Sequence, residues 1–199
     1  MEPRRDFSFN KTAQDMQRLE AALRKLMAGE KVPGLSKRGE RKLLDIACGR
    51  ADETGVLRRV FGGDDEALQI IGADIRDREI AEANERWADE GTDFLVHDGT
   101  RLHEISEMDG ADLALLRHQN YWNGKEVWEE IFSQTAEKLN DEGLMVITSY
   151  FDREHSLAKK ALADQGMTLV NELRNAGSRA TGDIGGKSVD RWLAVFRKG

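Results

Sequence analysis

The chain has 199 residues, 39% of them hydrophobic, and a formal charge of −7 with an isoelectric point near 5.3. That length suits one α/β core and is thin for two, and the acidity speaks against genome-scale nucleic-acid binding. The single cysteine, Cys48, supports neither a disulfide framework nor a zinc site, and no apolar run is long enough to span a membrane.

The N-terminal MEPRRDFSFNK lacks the apolar stretch of a signal peptide, so a cytoplasmic protein is expected, with no membrane partner and no metal. Charge is unevenly spread. Residues 1–42 hold 11 Lys/Arg against 6 Asp/Glu, residues 43–170 hold 13 against 28, and residues 171–199 hold 6 against 3. Either this is solvated helix charge, or the two basic ends border a site for an anionic substrate.

In chain order, Asn10 or Thr12 caps a helix reaching about Met27, with Met16, Leu19, Leu23 and Leu26 on one side. The Gly- and Pro-bearing stretch 29–40 reads as a loop leading to a first strand, Lys42 to Ala47. A helix follows over 54–61, then a strand over Leu68 to Ala73. Asp77 caps a helix that stops at Gly91, and Asp93 to His97 is the third strand.

After an irregular or helical stretch around 102–107, Asp112 to Leu116 is too short and too apolar for a surface helix and is a central fourth strand. Lys125 to Leu139 is an amphipathic helix with Val127, Ile131, Phe132, Ala136 and Leu139 inward. A turn, NDEG, leads to the fifth strand, Leu144 to Thr148, and a helix covers 154–165. The tail departs from this alternation. MTLVNELRN and VDRWLAVFRK both read as strands, and with no helix between them they pair antiparallel. The linker, Ala176 to Ser188, is a hairpin tip or a substrate-capturing loop.

Two stretches carry chemistry. In KLLDIACGRADETG an apolar run ends in Asp45, followed by a small-residue turn and a helix start, which places backbone amides and a helix dipole beside a pocket at a sheet's carboxyl edge. In LQIIGADI the second run ends in Asp74, a carboxylate positioned for both hydroxyls of a ribose. Together they point to a nucleoside-bearing cofactor without saying which. Alanine at 47 and 51 is compatible with the turn if the backbone keeps φ negative there.

Over residues 40–199 the sequence resembles the class I methyltransferases that use S-adenosylmethionine. LDIACGRA is similar to the family's first motif, GADI to its second acidic motif, HDGT to the third, DLALLRHQN to the fourth and LNDEGLMVITSY to the fifth-strand region. The resemblance implies a doubly wound, seven-stranded, mostly parallel sheet with an antiparallel last strand, in a three-layer αβα sandwich. It makes residues 1–199 one domain, with a helical lid and loop over 1–41 and the core over 42–199.

It further implies a floor for the cofactor at Asp45, Ala47, Cys48 and Gly49, a ribose ligand at Asp74 with Ile75 against adenine, and an adenine acceptor at Asp98 beside the Gly99 amide. Arg117 borders both cofactor and acceptor, and His118 is a candidate base. Asn120, Tyr121, Trp122 and Tyr150 are candidate acceptor contacts. The expected activity is methyl transfer to a small molecule, an anionic one among the options, with O, N, C and S all open as the attacked atom. The Asn-Pro-Pro-Tyr pattern of members that methylate exocyclic amines is absent. Two alternatives stand beside it: a non-catalytic methyltransferase-like binding protein, and an NAD- or nucleotide-sugar-binding Rossmann enzyme.

Overall fold

A computed structural model describes residues 4–28, 41–62, 68–87 and 91–199. The expected loop over 29–40 lies outside the described residues. Helix α1 (Arg4–Met27) is followed by β1 (Arg41–Ile46), α2 (Thr54–Phe61), β2 (Leu68–Asp74), α3 (Asp77–Trp87) and β3 (Thr92–Val96). After two short 3-10 turns come β4 (Ala111–Arg117), α4 (Lys125–Lys138), β5 (Leu139–Ser149), α5 (Asp152–Asp164) and β6 (Thr168–Arg174). A two-residue pair, β7 (Arg179–Ala180) with β8 (Ser188–Val189), precedes β9 (Trp192–Arg197).

The main sheet has seven strands in the order β3-β2-β1-β4-β5-β9-β6. Pairing is parallel from β3 through β5, and β9 runs antiparallel to both its neighbours. The expected doubly wound sheet and antiparallel last strand are both present. Alternation along the strands builds two apolar layers. Leu113 and Leu115 of β4 join Leu43, Val146 and Val195 under α1 and α2, while Ala114 and Leu116 join Ile46, Ile147 and Phe196 under α4 and α5. This is why DLALL carries no polar face: a strand covered on both sides has none to show.

Several boundaries differ from expectation for identifiable reasons. Helix α1 begins at Arg4, ahead of both Asn10 and Thr12. Its Leu19, Ala22, Leu23 and Leu26 are packed into the core against α2 and the sheet, so this stretch forms part of a layer. NDEG is no separate turn. β5 runs through it, and the register with β4 breaks between Ala111 and Leu113, so the extra residues form an irregularity inside the strand. Leu139 opens β5 rather than ending α4, and Val127 is 52% exposed rather than buried.

Candidate functional site

The sheet order reverses between β1 and β4, and the crevice outside their carboxyl ends is the place where open α/β sheets bind ligands. An open cleft of about 740 Å³ lies there, bordered by the turns after β1, β2, β3, β4 and β5.

The turn after β1 is bent back by amides: Ala47 N donates to Ala73 O at 2.8 Å and Ala51 N to Cys48 O at 2.8 Å. Ala47 and Ala51 sit at φ 58° and 50°, and Gly49 at 54°. The condition under which alanine suits this turn without strain, a negative φ, is therefore not met. The bend is a left-handed one, costing a non-glycine residue roughly 1–2 kcal/mol, and the surrounding hydrogen bonds hold it. A side chain on Gly49 would also meet Arg76 Nη2 at 2.7 Å.

Asp74 ties the second strand to this turn. Its Oδ2 accepts from Gly49 N at 2.8 Å and Arg76 Nη2 at 3.0 Å, and its Oδ1 accepts from Arg76 N and Nε, both at 2.9 Å. Burial raises its pKa, but the Arg76 guanidinium and these amides prevail and leave it below the usual carboxylate range. Both oxygens thus face the cleft floor already filled by an arginine whose own side chain is 54% exposed.

Asp98 caps the turn after β3, its Oδ1 accepting from Thr100 N at 2.9 Å and Thr100 Oγ1 at 2.8 Å. Those bonds lower its pKa, and Oδ2 has no described partner. Around it Ile75 (69% exposed), Gly99, Val127, Trp128 and Ile131 supply an apolar slot. Trp128 and Val127 were not singled out from the sequence, because a helix read by period alone assigns its apolar residues to the core.

Beneath the floor lies Asp45, fully buried, with neither carboxylate oxygen hydrogen-bonded. Burial, then the neighbouring Glu53, hold its pKa well above normal. Register places Asp45 opposite Gly72, so Asp45 and Asp74 project from the same face of the sheet. Cys48 is buried beside the cleft, and desolvation drives its thiol pKa upward, away from reactivity.

On the other side, Arg117 is held by Asp190 through Nε to Oδ1 at 3.0 Å and Nη2 to Oδ2 at 2.8 Å, with Glu53 Oε2 3.4 Å from Nη1. Asp190 also accepts from Thr148 Oγ1 at 2.8 Å. Despite its burial, the Arg117 charge, then His118, keep its carboxylate ionised far into acid. His118 Nε2 lies 2.8 Å from Asp190 Oδ1 and 3.1 Å from the Asp190 amide. The amide N–H donates to Nε2 while Asp190 Oδ1 faces the same nitrogen, so the two contacts make opposite demands on it, a lone pair and a proton; Nδ1 has no described partner. Burial lowers the His118 pKa, so the ring is neutral near pH 7. His118 and Asp190 share an unusual backbone, at φ 61° and 48°.

Tyr150 lines the cleft and stacks on His118 with ring centroids 3.9 Å apart. The other expected acceptor contacts do not gather there. Tyr121 is 3% exposed, bonded to Glu129 Oε1 at 2.8 Å and stacked on Phe132 in the core. Asn120 is exposed away from the cleft lining, and Trp122 sits farther out against Phe151. Asp190 and Glu53 were missed. Glu53 had a signal, lying in KLLDIACGRADETG two residues past the first motif; Asp190 had none, being brought to Arg117 only by the β5–β9 pairing.

No protein-family model matches this chain, and no curated protein matches it. Solved structures do. The N-methyltransferase NodS from Bradyrhizobium japonicum WM9 is 16% identical, with 92% of this chain and 96% of that one covered, at a TM-score of 0.63. Geranyl diphosphate C-methyltransferase from Streptomyces coelicolor A3(2), solved with Mg2+, geranyl diphosphate and S-adenosyl-L-homocysteine, is 15% identical over 100% and 88%, TM-score 0.66. An rRNA methylase from Streptococcus thermophilus is 14% identical over 90% and 93%, TM-score 0.57. At such identities the likeness speaks for architecture, and the chain has the Rossmann-like fold of class I methyltransferases.

Proposed function

We propose that this chain is a methyltransferase that uses S-adenosylmethionine and acts on a small-molecule acceptor, with residues 42–199 as its core. The observation that carries the reading is the join of Asp74 to the Gly49 amide at 2.8 Å, which sets a carboxylate and a tight turn side by side on the cleft floor. Support also comes from the S-adenosyl-L-homocysteine held by one structural neighbour.

The residues present fit that cofactor. Asp74 is placed for the ribose hydroxyls once Arg76 moves aside, and Asp98 Oδ2 for an adenine amino group. Ile75, Val127, Trp128 and Ile131 offer apolar faces for the base. Asp45, buried without a hydrogen bond, with Glu53 beside it, is proposed to give up its proton only when an ammonium group arrives, whose charge lowers the raised pKa and pairs with the carboxylate. Asp45, Ala47, Cys48, Gly49, Gly99 and Arg117 complete the proposed cofactor surroundings. When bound, S-adenosylmethionine supplies a methyl group on a cationic sulfur that is already an activated leaving group. The protein's share is then chiefly positioning. His118, neutral and with no described partner at Nδ1, is proposed to carry its proton on Nε2 toward Asp190 Oδ1 and to take the proton of an acceptor hydroxyl or amine at Nδ1, and Asp190 stabilises the imidazolium that results. Arg117 is assigned to holding Asp190 and Glu53 in place.

The test is calorimetric and thermal titration with S-adenosylmethionine, S-adenosylhomocysteine, NAD and a nucleotide sugar. A ligand present at 100 times its Kd stabilises the fold by about 2.7 kcal/mol. Response to the first two is expected; silence from both overturns the reading. One observation favours a second reading, a cofactor-holding protein without turnover: Arg76 saturates Asp74. Homocysteine-product release across a panel of acceptors separates the two.

A further inference from the structure

The expectation of an anionic acceptor needs a cation to meet it, and Arg117 is not available. Its side chain is 12% exposed and committed to Asp190 and Glu53. Two other cations stand outside the cleft lining, each over an aromatic ring. Lys187 Nζ lies 4.7 Å from the Tyr150 ring centroid, and the Arg153 guanidinium lies 4.9 Å from that of Trp122.

The rings beneath them form one continuous wall. His118 stacks on Tyr150, Tyr150 meets Phe151 at 6.5 Å and 63°, and Phe151 meets Trp122 at 6.4 Å and 80°. The wall thus starts inside the cleft and steps outward along the tips of β4 and β5, ending at Trp122, which is 46% exposed.

The nearby acids do not quench the cations. Asp152 is bound by Arg191 at 2.7 and 2.8 Å and by Trp192 Nε1 at 2.6 Å, and Glu154 accepts from Tyr150 N at 2.9 Å. Arg153 is exposed and has no described carboxylate partner, while Lys187 pairs with Asp183, 3.6 Å away and itself 59% exposed, and also lies in the field of the Glu154 carboxylate.

We propose that this wall, with Arg153 and Lys187 above it, selects an aromatic carboxylic acid as the acceptor. Stepped rings at 63° and 80° offer edge-to-face contacts to a flat ring, and the cations, held only by ring faces and one solvated pair, turn to a carboxylate. Single-stranded RNA has the same two chemistries, but the cleft is also lined by Asp52, Glu79 and Glu82, and a polyanion needs a basic track. The inference rests on the methyltransferase reading above and deepens it.

The experiment has two stages. Binding of S-adenosylhomocysteine is measured first; its absence overturns the cofactor reading and this inference with it. On protein saturated with S-adenosylhomocysteine, calorimetry then compares 4-hydroxybenzoate, 4-hydroxybenzamide, cyclohexanecarboxylate and an octameric oligo(U). Hydroxybenzoate is expected to bind about ten-fold more tightly than the neutral aromatic or the aliphatic acid. Trp122→Ala and the pair Arg153→Gln with Lys187→Gln are each expected to weaken it about five-fold or more, with the S-adenosylhomocysteine Kd unchanged. Equal binding of the three small probes, no binding of hydroxybenzoate, wild-type affinity in the variants, or preference for oligo(U) overturns the inference and leaves the cofactor reading standing.

Discussion

The two halves of the cleft are built by different means. The half around β1, β2 and β3 is made by residues close in sequence to strand ends: Asp74 bonds to Arg76 two residues away, and Asp98 to Thr100. The half around β4 and β5 depends on Asp190, 73 residues from Arg117 and 42 from Thr148. Local chemistry fixes the first; tertiary assembly fixes the second. The first half should therefore tolerate damage elsewhere, whereas the second should fail as a unit.

Removing Asp190 is the harshest test of that contrast. Asp190→Ala leaves Arg117 buried without its main counter-charge and is expected to destabilise the protein by about 3–5 kcal/mol in denaturant unfolding. A loss under ~1 kcal/mol, the scale of an exposed pair, would show the network to be peripheral.

In the other half, Asp74→Ala should weaken S-adenosylhomocysteine binding by roughly 1.5–3 kcal/mol with a smaller effect on folding. Wild-type affinity would reassign Asp74 to tying the turn alone. Titration probes the same half from below. Asp45 and Glu53 hold their protons in the folded state above the pKa values they have when unfolded. That contribution is fully present below the unfolded values, near 4, and is lost as pH rises through the folded ones. Stability should carry a component descending with pH by at most about 1.4 kcal/mol per unit for each of the two groups, reduced in Asp45→Asn. An identical pH profile in the variant would break this account.

Smaller effects come from Arg76 and Ala47. Freeing Asp74 by Arg76→Ala should tighten S-adenosylhomocysteine binding by up to about 1 kcal/mol, since the lost pair is half-exposed. Weaker binding would instead mean that the guanidinium touches the ligand. Ala47→Gly, relieving a left-handed residue at φ 58°, should raise stability by about 0.5 kcal/mol, the strain relieved less the entropy that glycine adds to the unfolded chain. A lower melting temperature would place the strain elsewhere.

The same contrast explains what the sequence disclosed. Strand and helix alternation, Asp74 and Asp98 were readable because period and strand-end position are local properties. The left-handed alanines were not, because sterics favour negative φ and only the Ala73 carbonyl and Asp74 override it. Val127 shows the limit of helical period: its face is apolar yet turned to the cleft. Tyr121 shows the reverse, an aromatic beside the functional loop that is drawn into the core by Glu129 and Phe132. Lys187 comes from a linker with no periodicity and Asp190 from the start of the stretch VDRWLAVFRK just after it, and only strand pairing reveals where they go.

The placement of β9 between β5 and β6 sets an order of events during synthesis. Until residues 192–197 leave the ribosome, β6 has no partner and β5 has only β4, while β1 through β4 already have theirs. A nascent chain can thus complete the edge around β1, β2 and β3 early, but Asp190 reaches Arg117 only once β9 is there to pair with β5. Loss of β9 would strip away the counter-ion of a buried guanidinium together with two ladders of backbone hydrogen bonds, so truncation just before β9 should be as damaging as one far upstream.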